Sequence, residues 1–144
     1  MTPSSPGRNW LLTLAAWIAL IFGLMTIFAG GQALFGSPQA RASVGQYVPF
    51  VLWFNFLAGF AYVGCAVAIF KRMAWASRLA VTITIATLLV AAGFAWHVSA
   101  GGAFETRTTI ALLLRLSIWT LISIICIRLA ATMQQPNPPG AAHP

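Results

Sequence analysis

Long apolar runs separated by short polar breaks dominate this chain, and the runs predict helices over about 10–35, 49–70, 74–96 and 108–129. Each run reaches the ~20 apolar residues that a helix needs to cross ~30 Å of hydrocarbon. The expected fold is therefore all-α, an integral membrane bundle of four antiparallel transmembrane helices filling residues 10–131. Residues 1–9 (MTPSSPGRN) read as a disordered cytoplasmic lead, and the Pro-rich residues 132–144 as a disordered cytoplasmic tail. The first run begins after the basic Arg8 and contains Gly31-Gln32-Ala33, which is similar to a signal-peptide cleavage site. Its length exceeds the ~7–15 residues of a typical signal core, so an uncleaved span is expected.

The breaks punctuate these helices. Residues 36–46 (GSPQARASVGQ) form a turn-rich connector, and Pro49 suits a first helical turn. Lys71 and Arg72 end the second run, with Arg78 close behind. Residues 97–107 (HVSAGGAFETR) make the second long connector, expected to be flexible at Gly101 and Gly102. Thr106, Thr108 and Thr109 offer caps for the fourth helix. No convincing internal repeat relates the two halves.

Charge settles an expected orientation. Arg8, Lys71, Arg72, Arg78 and Arg128 fall on one side of the membrane, and only Arg41 and Arg107 on the other. Positive residues in short loops stay inside, which places both termini in the cytoplasm. Trp10 and Trp75 near one interface, with Tyr47 and Trp96 near the other, agree with this assignment.

Composition narrows the class further. The chain of 144 residues is 60% hydrophobic and 6% charged, against roughly 25% charged in soluble domains. The spans leave no room for a soluble domain. A net charge of +7 comes from basic residues spread along the chain, not from a patch that would bind nucleic acid. Cys65 and Cys126 lie inside apolar runs and form no CxxC motif.

One residue breaks the apolar rule. Arg115 lies well inside the fourth run, where an arginine costs at least ~2.5–3.5 kcal/mol. Helical rise puts Asn55 about 9 Å past Pro49 and Arg115 about 10 Å past Thr108, at one level, so Asn55 is its expected partner. Asn55, Gly59, Tyr62 and Cys65 or Ala66 share a face of the second helix, and Arg115, Trp119, Ile122 and Cys126 a face of the fourth. Two readings follow. In one, these are interior packing faces and Arg115 snorkels to a lipid phosphate or to Glu105. In the other, Arg115, Asn55, Tyr62 and Trp119 line a pocket for an anion or a polar ligand head.

Glu105, the only carboxylate side chain, suits the start of the fourth helix as a capping or ion-pairing group. Its sharper reading is a proton-handling or cation-binding group with His97. One His and one Glu are too few for a zinc site. The cysteines read as small buried hydrophobes. Small residues at Ala15, Ala19 and Gly23, and at Ala76, Ala80 and Thr84, form two seams suited to close helix packing. Several four-span chemistries lack their residues here: paired cysteines for thiol oxidation, a first-span carboxylate for drug–proton exchange, and two intramembrane histidines for a b-type haem.

The expected role is that of a small multi-pass protein of the bacterial inner membrane. It would act without enzymatic activity, metal or cofactor, as an accessory or assembly subunit or a homo-oligomer. Its partners would be the lipid bilayer and other transmembrane helices. The alternative is a transporter or ligand-binding protein with its pocket at Arg115, Asn55, Tyr62 and Trp119, and Glu105 and His97 as further candidates. A membrane enzyme or quinone-type redox site on the same residues is the third reading.

Overall fold

The computed structural model describes residues 6–42, 45 and 47–133. The expected lead and tail therefore lie largely outside the described residues, though residues 6–9 and 132–133 continue helices. The elements are α1 (Pro6–Phe35), α2 (Pro38–Ala42), α3 (Pro49–Phe70), α4 (Ala76–Ser99) and α5 (Thr106–Met133). Within the long helices, Trp10–Phe35, Pro49–Phe70, Ala76–Ser99 and Thr106–Arg128 are each long and apolar enough to cross a membrane. The chain is a helical bundle with the makings of a small multi-pass membrane protein.

Local chemistry explains where the helices begin and end. Val48 is extended (φ −91°, ψ 112°) because the following proline ring disfavours the helical region, and Pro49 then opens α3 without needing a donor. Both α3 and α4 close with the same pair of hydrogen bonds. After α3, Met73 N–H donates to Ala68 O at 2.9 Å and Arg72 N–H to Ile69 O at 3.0 Å. After α4, Gly102 N–H donates to His97 O at 2.9 Å and Gly101 N–H to Val98 O at 3.0 Å. This is the Schellman pattern, which needs a left-handed residue just beyond the helix. Gly101 supplies it at φ 83° after α4, whereas Arg72 adopts φ 56° after α3. Gly101, expected to loosen its connector, instead ties down the end of α4.

The four long helices form two close pairs. α1 lies along α3 and α4 along α5, while the α3–α4 and especially the α1–α5 edges are joined more loosely. The expected small-residue seams are buried: Ala15, Ala19 and Gly23 on α1, Ala76 and Ala80 on α4. At the α1–α3 crossing, a Cβ on Gly59 would lie 3.1 Å from the Ile27 nitrogen and 3.2 Å from Gly23 O, so the two backbones are nearly in contact. In lipid this close approach matters more than hydrophobicity, because the surrounding chains are as apolar as the side chains. A hydroxyl bridge of 2.9 Å between Thr84 and Ser123 links α4 to α5.

The interior is apolar at both ends. One cluster, including Leu12, Ala15, Cys65, Ala66, Ile69, Ala76, Ala80, Ile122 and Cys126, fills the end near the α3–α4 turn. A second, Val48, Val51, Phe94 and Leu112, closes the end near the long connectors. Outward-facing side chains such as Leu24, Phe28, Leu89, Leu113 and Leu121 remain exposed, as lipid-facing residues should be.

Candidate functional site

Between the two apolar plugs lies a level to which every long helix contributes. Helical rise places Phe22 (α1), Tyr62 (α3), Thr87 (α4), and Arg115 and Trp119 (α5) about 14–20 Å from the connector end of spans about 33–39 Å long. Tyr62, Thr87 and Trp119 are 0% exposed, and Arg115 is half-buried. The rings of Tyr62 and Trp119 meet with centroids 4.6 Å apart, and Phe22 stacks on Tyr62 at 5.9 Å. The Arg115 guanidinium lies over the Phe22 ring, 5.9 Å from its centroid, a cation–π contact strengthened by exclusion of water.

The polar atoms of this cluster are largely unspent. Asn55 Oδ1, the Tyr62 hydroxyl, Arg115 Nε and Trp119 Nε1 are all buried without a hydrogen-bond partner. Thr87, Arg115 and Trp119 approach the Tyr62 hydroxyl without reaching bonding geometry. The Thr87 hydroxyl is committed to its own helix, donating to Ile83 O at 2.8 Å. A buried polar group without a partner costs about 1–3 kcal/mol, and more where lipid rather than water surrounds the protein. A native fold seldom tolerates such atoms unless something else satisfies them.

The expected Arg115–Asn55 pairing does not form, since Asn55 Oδ1 has no donor. Arg115 instead turns toward α1 and takes the Phe22 face. The single carboxylate is also distant. Glu105 precedes α5, ten residues or about 15 Å of rise from Arg115, and a Cβ on Gly45 would collide with its carboxylate. Glu105 thus packs against the first long connector and does not neutralise Arg115. His97 is equally remote: its Nε2 lies 3.3 Å from Ala103 O, and its ring covers Gly102. Arg115, Tyr62 and Trp119 are therefore brought together, Asn55 lies two turns from Tyr62 along α3, and Glu105 and His97 stand apart.

Phe22 and Thr87 are the members that sequence reasoning missed. Their signal was depth, since each sits at the middle of its own span, but Phe22 is one uncharged aromatic among many and Thr87 reads only as a threonine able to bond its own helix or a neighbour, as it does. Cys65 and Cys126 are free and buried, Cys65 making only a weak contact to Ala76 O at 3.8 Å. Among the described residues, no three His, Cys, Asp or Glu side chains gather as metal ligands.

Chemically, the arrangement is a donor set. Arg and Trp can only donate, and Tyr can do either. Three unspent donors and a fixed positive charge converge, with an acceptor, Asn55 Oδ1, on the same face of α3 as Tyr62. Their natural complement is a carbonyl, carboxylate or similar acceptor. Comparison with protein-family models, with curated proteins and with solved structures finds no match to this chain.

Proposed function

We propose that this protein is a small multi-pass membrane protein that binds an acceptor-bearing small molecule at mid-membrane, held by Arg115, Tyr62 and Trp119. The supporting observation is the coincidence of unpartnered buried donors with an arginine whose charge no described residue on its own level offsets. Intramembrane ionisable residues commonly mark ligand or ion sites. Arg115 supplies charge and a directed Nε–H, Trp119 and Tyr62 supply further donors, and Phe22 holds the guanidinium in place. Asn55 orients a ligand donor, if the ligand carries one. The role is binding or carriage rather than catalysis. The bias of basic loop residues favours both termini in the cytoplasm, and the Ala-rich, Arg-over-Lys composition favours a bacterial inner membrane.

The accessory-subunit reading retains one point in its favour. Arg115 is only half-buried, so a partner helix carrying a carboxylate would satisfy it as well as a ligand would.

Both readings are separated by extracting the protein in lipid discs and measuring intact mass, wild type beside Arg115→Leu. The ligand reading expects a small non-protein mass on the wild type that Arg115→Leu loses while remaining folded. A stoichiometric polypeptide lost in the same variant would replace it with the accessory reading. Identical masses, with neither species bound, would refute both.

A further inference from the structure

We infer that the ligand of this site is itself membrane-dissolved: an apolar molecule with a carbonyl or carboxylate head, reaching Arg115 sideways from the bilayer between α1 and α5. This inference rests on the mid-membrane site proposed above and names its substrate class and route.

Three observations carry it. Both axial routes run through apolar packing. Toward the connectors stand Val48, Val51, Phe94 and Leu112, each at most 5% exposed. Toward the α3–α4 turn, beyond the site, stand Cys65, Ala66 and Ala80, all 0% exposed. A hydrated anion would have to shed its water against hydrocarbon along either path, with no polar group to replace it. The donors themselves differ in exposure. Tyr62 and Trp119 are sealed, while Arg115 in front of them keeps part of its surface open. Arg115 of α5 meets Phe22 of α1 across the most loosely joined edge of the bundle.

Of the edges facing lipid, the α1–α5 edge is the one at which Arg115 stands. A head with one or two oxygen acceptors would pass Arg115, accept from its guanidinium, and reach Trp119 Nε1 one turn further along α5. The apolar remainder would stay among lipid chains against the α1 and α5 outer faces, where Leu113, Ser117 and Leu121 of α5 and Ile18, Ile21 and Met25 of α1 are exposed. No hydrated charge need cross the membrane core. Long-chain carboxylates and quinones share this chemistry.

Trp119 provides the reporter. The other five tryptophans, Trp10, Trp17, Trp53, Trp75 and Trp96, are replaced by Phe, which leaves one indole, at the site. The single-Trp protein in lipid discs is titrated with a dibrominated long-chain fatty acid, with a short-chain benzoquinone, and with aqueous iodide. The inference expects saturable quenching by the fatty acid or the quinone, the active probe identifying the head. Half-saturation should be about ten- to a hundredfold weaker in Arg115→Leu, with Arg115→Lys as a second variant retaining charge. Far-UV dichroism checks that both variants are folded. Saturable quenching by iodide, lost in Arg115→Leu, with no response to the apolar probes, would overturn the lateral route yet leave the site standing. Silence to all three probes would overturn the site as well.

Discussion

The α1–α3 crossing offers the most direct test of what holds this bundle together. A Cβ on Gly23 would sit 3.0 Å from Tyr62 Cβ, from Val63 Cγ2 and from the Val63 amide nitrogen. The valine methyl can rotate aside, but a Cβ and a backbone nitrogen cannot. Gly23→Ala therefore forces α1 and α3 apart by a few tenths of an ångström, and overpacking of this kind costs about 1–3 kcal/mol. Alanine also recovers ~1 kcal/mol of helix propensity, which would mask part of the loss. Gly64→Ala provides the correction, because nothing lies within 4 Å of a Cβ there, so it gains the propensity alone. Subtracting one variant from the other cancels that gain, and the difference should equal the packing penalty of about 1–3 kcal/mol. The measurement is reversible unfolding in mixed detergent micelles with rising dodecyl sulfate, both variants against wild type. Near-UV dichroism should change for Gly23→Ala only, since moving Tyr62 disturbs its 4.6 Å contact with Trp119. Equal stability of the two variants would refute the view that glycine-mediated backbone approach, rather than general apolar contact, joins α1 to α3.

Two further outcomes follow from local geometry. A double-mutant cycle on Thr84→Ala and Ser123→Ala should give a coupling of about 0.6 kcal/mol and no more than about 1.7, the range for interhelical hydrogen bonds in membranes; zero coupling in the same unfolding assay would mean that the 2.9 Å bridge contributes nothing. Arg72→Gly should raise stability by about 1 kcal/mol, because φ 56° strains an L-residue and glycine adopts it freely; a loss would show that the arginine's own contacts outweigh the backbone strain.

Hydropathy and helical rise made much of this protein legible without coordinates. Run length alone located four helices, because a bilayer accepts little else than a long apolar helix with its backbone bonds satisfied internally. Small-residue spacing located the buried seams on α1 and α4, and rise per residue put Arg115 about 10 Å into its helix, level with Asn55. Depth is a property of one helix and its ends, so it can be read from one stretch of sequence. Azimuth is not. Which way Arg115 turns depends on how α5 is rotated against three neighbours, and the hydropathic pattern does not fix that rotation, because lipid and core accept the same side chains. Asn55 therefore looked like its partner at equal depth, while tertiary packing gave the guanidinium to Phe22. The same reason kept Phe22 and Thr87 out of the sequence-derived site and placed Glu105 against Gly45 in another connector. The sequence determined the four long helices, their order and the depth of each polar residue along them, though not the short α2 inside the first connector; only the packing of the helices decided which of those residues face one another and which are left without a partner.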